Sequence, residues 1–79
     1  MSSVFPPLSY RDVVRILTNL GFSPKKRTST SHEKWSKTVN GQRYVVTVDQ
    51  HEEPFDAFLV SSMSKQAGVS KKEFYNARG

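Results

Sequence analysis

Residues 30–49 read T-S-H-E-K-W-S-K-T-V-N-G-Q-R-Y-V-V-T-V-D, and this stretch decides the fold. Two runs of strand-forming residues flank Asn40 and Gly41, which both tolerate the positive φ angles of a type I′ turn. Such a pair is the strongest short-range signal for a β-hairpin, and a two-residue turn sets the strand register by counting outward. The sequence therefore predicts cross-strand pairs that continue from the turn to His32 opposite Asp49.

The predicted register gives the hairpin two different faces, because side chains alternate along a strand. One face is largely apolar and suits a hydrophobic core; it carries Trp35, Val39, Tyr44, Val46 and Val48. The other is polar and basic; it carries His32, Lys34, Ser36, Thr38, Arg43, Thr47 and Asp49. Because Trp35 and Tyr44 lie on the apolar face, we expect both in the core. Stacking of their rings on nucleic-acid bases is the alternative.

The segment before the hairpin predicts a helix over residues 9–20. Ser9 and Asp12 form a capping-box pattern, and apolar residues follow at helical spacing. Gly21 is the expected end of this helix. The segment that follows is polar and basic, and Pro24 is expected to interrupt regular structure there. A short first strand near residues 26–29 is compatible with this segment.

The segment after the hairpin predicts two further helices. One begins at Asp56 and ends at Gly68, and it shows one face made of Leu59, Met63, Gln66 and Ala67, with Phe55 and Phe58 at its start. The other follows a capping box formed by Ser70 and Glu73, with Phe74 pointing inward.

This order of elements predicts an α+β fold, α-β-β-β-α, in which a three-stranded antiparallel sheet carries helices on one face. The double-stranded-RNA-binding domain has the same arrangement. The chain has 79 residues, so one domain spanning residues 1–79 is expected.

The composition favours an anionic partner. The net charge is +5, and residues 25–43 hold six basic residues and one acid. A segregated basic region suits a phosphate backbone, and a merely solvated surface is the alternative.

The longest apolar run, residues 57–60, is far shorter than the about 20 residues of a membrane span. The first residues lack a signal-peptide pattern, so we expect a cytoplasmic protein without membrane contact.

His32 is the main candidate for a catalytic group. The chain has no cysteine and only two histidines, so no metal or other cofactor is expected. His32 is predicted on the open sheet face, close to Lys34 and opposite Asp49, whose carboxylate can fix the imidazole tautomer. Histidine titrates near neutral pH, as a general acid or base should. A surface histidine without a role is the alternative.

RNA is a substrate that needs little more than such a histidine. Its 2′-hydroxyl is the nucleophile, so one base and nearby cations suffice for metal-free cleavage to a 2′,3′-cyclic phosphate. Charge and register favour phosphate contacts by Lys25, Lys26, Arg27 and Lys34. Ser31 lies in a run of hydroxyl residues that can bind phosphate oxygens, although turn formation is the simpler role for each of them.

Several short motifs together resemble the HicA (YcfA-like) toxin family. They are T-S-H-E-K-W at residues 30–35, N-G-Q-R at 40–43, Y-V-V-T-V at 44–48 and K-Q-A-G-V-S at 65–70, within a resemblance that covers residues 8–74. Family members are small, have a double-stranded-RNA-binding-like fold and act as mRNA interferases. The resemblance thus implies the toxin of a type II toxin–antitoxin system, an endoribonuclease that cleaves mRNA.

The resemblance also assigns individual residues and a partner. His32 aligns with the family's catalytic histidine, and a HicB antitoxin that masks the toxin is the implied partner. Thr30 replaces a family glycine, and Glu33 stands where a second histidine is common. We expect Glu33 on the core side, without a catalytic role; His51 loosely matches a histidine near the third strand's end. A non-catalytic RNA-binding module and a domain that docks an acidic protein are the alternative functions.

Overall fold

The computed structural model describes residues 6–25 and 32–79. Its elements are α1 (Tyr10–Asn19), β1 (Ser23–Pro24), β2 (His32–Val39), β3 (Gln42–Asp49), a 3-10 turn (Gln50–Glu52), α2 (Ala57–Ala67) and α3 (Lys71–Asn76). The strands form one antiparallel sheet in the order β1-β2-β3. The helices cover one face of it, so the predicted α+β architecture is confirmed. Within these residues, no helix is both long and apolar enough to cross a membrane.

The hairpin of β2 and β3 has the predicted register at every position. Its pairs run outward from the turn to His32 opposite Asp49. Asn40 and Gly41 both have positive φ angles, 52° and 81°. Asparagine and glycine adopt this region at the least cost, so the turn forms without strain. The two-residue turn thereby determines which side chains of both strands face the core.

The core lies between the inner sheet face and the helices. Trp35, Val46 and Val48 are buried, and Tyr44 packs against them from a half-buried position. Their buried partners come from all three helices and the connecting segments: Leu8, Val13, Ile16, Leu17, Phe22, Phe55, Val60, Met63, Ala67 and Phe74. The core assignment of the two aromatic strand residues is therefore confirmed. Val39, beside the turn, is 43% exposed and contributes less than expected.

Side-chain caps define the starts of α1 and α3 as the sequence predicts. Ser9 Oγ accepts a hydrogen bond from the Asp12 N–H, and the Asp12 carboxylate accepts one from the Ser9 N–H, both at 3.1 Å. Ser70 and Glu73 make the same reciprocal exchange before α3. These contacts give partners to backbone donors that a helix start leaves unpaired. Gly68, with φ 78°, ends α2.

The first strand includes the proline that was expected to interrupt regular structure. β1 is the two-residue segment Ser23–Pro24, which pairs with Ser36 and Trp35 of β2. An edge strand tolerates proline because one of its sides needs no backbone donor. The strand predicted near residues 26–29 lies outside the described residues.

The inner face of α2 is rotated from the predicted one. Its buried residues are Val60, Met63, Ser64 and Ala67. Gln66, expected on that face, is exposed, and its Oε1 accepts a hydrogen bond from the Thr47 N–H of β3 at 3.1 Å. Phe58, at the start of the helix, is 80% exposed. The prediction failed here because α2 is apolar on more than one side, so its own periodicity does not determine which side packs on β3.

Gly68 and Gly41 allow a matched test of how closely the end of α2 packs on the sheet. Both have positive φ, which costs an L side chain about 1–2 kcal/mol. A Cβ at Gly68 would lie 2.6 Å from the Tyr44 ring, whereas a Cβ at Gly41 meets nothing within 4 Å. Because overpacking typically costs about 1–3 kcal/mol, Gly68→Ala should lower the free energy of unfolding more than Gly41→Ala by that amount. Urea denaturation measures both losses, and equal losses would contradict the close contact.

Candidate active site on the open sheet face

The His32 imidazole and the Asp49 carboxylate are in contact at the end of the hairpin farthest from its turn. His32 Nε2 lies 3.3 Å from Asp49 Oδ2, and the side chains are 59% and 18% exposed. The contact follows from the register, because directly opposite residues on antiparallel strands bring their side chains together. The imidazole is thus presented to solvent from a paired strand while a carboxylate holds one ring nitrogen.

Asp49 also joins this pair to the 3-10 turn that follows β3. Its Oδ1 accepts a hydrogen bond from the His51 N–H at 3.0 Å, which caps Gln50–Glu52. Because its two oxygens contact different partners, the carboxylate is held in one orientation, and it in turn orients His32. The His51 side chain is exposed on this turn.

Two lysines lie beside His32 on the open face. Lys34 follows His32 by two residues on the same side of β2, and its Nζ donates to Thr47 Oγ1 at 2.9 Å. The backbone N–H of Lys25, the residue that follows β1, donates to the Lys34 carbonyl at 2.7 Å. The two lysines are therefore neighbours in the backbone pairing of the sheet.

The described part of the predicted site therefore converges on one end of the open face. His32 contacts Asp49 there, Lys34 follows His32 by two residues on the same strand face, and the backbone of Lys25 pairs with that of Lys34. The other predicted phosphate contacts, Lys26, Arg27 and Ser31, lie outside the described residues. In the described ranges, 6–25 and 32–79, no three His, Cys, Asp or Glu side chains are grouped so that they could hold a metal ion.

Glu33 points to the opposite side of β2 from His32. Its carboxylate accepts hydrogen bonds from the Tyr10 hydroxyl at 2.6 and 2.7 Å and from Trp35 Nε1 at 3.2 Å. The predicted core-side position of Glu33 is thus observed. Tyr10, to which the sequence assigned no role, fastens α1 to the start of the strand that carries His32. No local pattern could have revealed this contact, because the two residues are 23 positions apart.

A comparison with protein-family models identifies the family. The family described as "HicA toxin of bacterial toxin-antitoxin" matches residues 10–69, which include the hairpin and the His32–Asp49 pair. The chain belongs to the HicA toxin family. Neither the curated proteins nor the solved structures gave a significant match. As a HicA toxin, the chain is part of a toxin–antitoxin system, which implies an antitoxin partner, and the family resemblance noted in the sequence is confirmed.

The contact of Tyr10 with Glu33 in this HicA toxin can be tested by a double-mutant cycle. Glu33→Ala should lower the free energy of unfolding by about 1–3 kcal/mol, because it leaves the Tyr10 hydroxyl and the Trp35 N–H without their acceptor. Tyr10→Phe removes one of these donors. The double variant should therefore lose less stability than the two single variants added together, by about 0.5 kcal/mol or more. Thermal or urea unfolding gives the coupling, and additive losses would argue against the hydrogen bond.

Proposed function

We propose that this HicA toxin is an endoribonuclease that cleaves mRNA without a metal ion, with His32 as the general acid and base. One arrangement carries the proposal: an exposed imidazole, 3.3 Å from the Asp49 carboxylate, beside Lys34 and Lys25 on a polar sheet face. Family membership supports it, since the sequence resemblance aligns His32 with the catalytic histidine of HicA toxins.

The reaction requires only proton transfer and one exchange of bonds at phosphorus. His32 takes the proton of the RNA 2′-hydroxyl, and O2′ bonds to the adjacent phosphorus while the bond from phosphorus to O5′ breaks. The proton then passes to the leaving O5′. The products are a 2′,3′-cyclic phosphate and a 5′-hydroxyl, so atoms and charge balance without a cofactor. General acid–base catalysis of this kind contributes about 10²–10⁴-fold to the rate.

The neighbouring charges have separate roles in this mechanism. Asp49 is a positioning residue, which orients the imidazole and stabilises the imidazolium formed on proton uptake, as a buried carboxylate does in catalytic triads. Lys34 and Lys25 stabilise the negative charge that develops on the phosphorane. We assign contacts with flanking phosphates to Lys26, Arg27 and Ser31 from their charge or hydroxyl chemistry and their closeness in sequence to Lys25 and His32.

A HicB-like antitoxin is the proposed partner. The histidine and lysines lie on an open sheet face that the helices of this chain do not cover, so RNA and a masking protein compete for the same surface. Because the substrate is mRNA, the proposed reaction takes place in the cytoplasm.

Replacing His32 tests the proposed mechanism. His32→Ala should lower the rate of RNA cleavage by about 10²-fold or more, because it removes the only group assigned to proton transfer. Its circular dichroism and melting temperature should match those of the wild type, since the side chain is largely exposed. His51→Ala, the other histidine, is the matched control and should stay within a few-fold of wild-type activity. Labelled RNA incubated with the purified proteins and a chelator gives the rates.

Four results, two on cleavage and two on RNA binding by the same proteins, would contradict the proposed function. Full cleavage by His32→Ala, or cleavage only after metal is added, would contradict the mechanism. A non-catalytic RNA-binding module would bind RNA with salt-dependent affinity and leave it intact. A domain that docks an acidic protein would not bind RNA at physiological salt.

Lys34 should contribute to both RNA affinity and turnover. Lys34→Ala removes one cation that contacts the RNA phosphates. The slope of log affinity against log salt concentration should therefore decrease in magnitude by about 0.7. Cleavage should also slow by about tenfold or more, because a charge that stabilises the transition state is lost. Lys72→Ala, on α3 behind the sheet, is a control of equal charge and should change neither quantity. A salt dependence unchanged by Lys34→Ala would remove Lys34 from the site.

A further inference from the structure

A cleft at the outer edge of β3 begins beside the candidate active site. Its volume is about 190 Å³, and it lies between Thr47 and one side of α2. Thr47 precedes Asp49 by two residues on the same strand face, a separation of about 7 Å. Thr47 Oγ1 also accepts the hydrogen bond from Lys34 Nζ. The cleft thus shares Thr47 with the candidate active site, so it lies within about one nucleotide of a phosphate bound at His32 and Lys34.

The size and walls of the cleft suit one flat ring system. Pockets for drug-sized ligands usually measure about 300–1,000 Å³, so this cleft is too small for a whole nucleotide. Leu59, which is half-buried, supplies the accessible apolar wall, and Phe55 and Met63 close the cleft from the core side. Because Phe55 and Met63 are buried, this side of the cleft is held in place by the packing of the protein. A nucleobase meets both conditions, because it is flat and its faces are apolar.

The polar lining favours a base over a phosphate. Glu52 lines the cleft from the 3-10 turn, and a carboxylate accepts hydrogen bonds but repels phosphate. Nucleobases present N–H donors on their Watson–Crick edges. Guanine presents two adjacent donors, which one carboxylate can accept in the bidentate geometry that makes such contacts strong. The phosphates of the same strand would lie on the other side, toward Lys34 and Lys25.

An exposed aromatic side chain adjoins the cleft. Phe58 is 80% exposed, and it precedes the cleft residue Ser62 by four positions on α2. Residues spaced by four are neighbours on a helix surface, so Phe58 lies beside the cleft opening. RNA-binding proteins use exposed aromatic rings of this kind to stack unpaired bases.

We propose that this cleft binds an unpaired nucleobase of the RNA, with a preference for guanine that Glu52 provides and Phe58 supports by stacking. The inference rests on the proposed ribonuclease function and deepens it. It makes Glu52 a specificity-determining residue and locates the recognised base next to the phosphate that is cleaved.

Binding, measured separately from cleavage, tests the cleft. The full chain with His32→Ala is titrated with fluorescent uridine octamers in which one central position is uridine, guanosine, adenosine or cytidine. The guanosine octamer should bind about tenfold more tightly than the uridine octamer, the size expected of one bidentate contact. Adding Glu52→Ala or Phe58→Ala should reduce that ratio to nearly one. Gln50→Ala changes an exposed residue of the same turn outside the cleft, so it should preserve the ratio.

A filling substitution gives a second measurement. Ser62 is exposed on α2 and lines the cleft, so Ser62→Trp should occupy the space and abolish the guanine preference without disturbing the core. Equal affinities for the four octamers would overturn the cleft proposal. A protein partner would then be the expected occupant of the cleft and of the surface at Phe58. A preference that survives both Glu52→Ala and Ser62→Trp would overturn it as well. Guanine preference in a wild-type chain that leaves RNA intact would instead refute the ribonuclease function and retain the base site.

Discussion

The two-residue turn at Asn40 and Gly41 is the constraint on which the rest of the molecule depends. A shift of the hairpin register by one residue would move every side chain of one strand to the other face. His32 would then lose Asp49, its partner across the strands, and Trp35 would lose its place in the core. The left-handed conformations of the turn, at φ 52° and 81°, therefore determine both where the candidate active site assembles and which strand residues stabilise the core.

The alternation of side chains on β2 separates stability from chemistry within a few residues. His32 and Lys34 face solvent, whereas Glu33 and Trp35 face the helices, where Glu33 accepts hydrogen bonds from Trp35 and Tyr10. A second carboxylate on the face of His32 would add negative charge to the basic surface there. Here the pleat of the strand directs Glu33 away from that surface. Glu33, which stands where a second histidine is common in the family, therefore leaves the open face of the sheet unchanged.

The features that the sequence predicts correctly are those encoded over short distances. The hairpin register, the capping boxes at Ser9 and Ser70, and the helix end at Gly68 each depend on residues within a few positions of one another. The rotation of α2 and the contact of Tyr10 with Glu33 depend on packing between distant segments, which local periodicity does not contain. The pairing of His32 with Asp49 lies between these cases, because a local turn determines a contact across seventeen positions.

The hydrogen bond from the Thr47 N–H to the Gln66 side chain also occupies a backbone donor at one edge of the sheet. β3 is one of the two outer strands of the sheet, and unsatisfied backbone groups on such a strand are templates for intermolecular pairing and aggregation. The glutamine amide occupies one of these groups, and α2 lies along the same edge. A second molecule could pair with the Thr47 N–H only by displacing the glutamine amide. Strand addition at this edge is thereby made less favourable, while the open sheet face stays unobstructed by the helix.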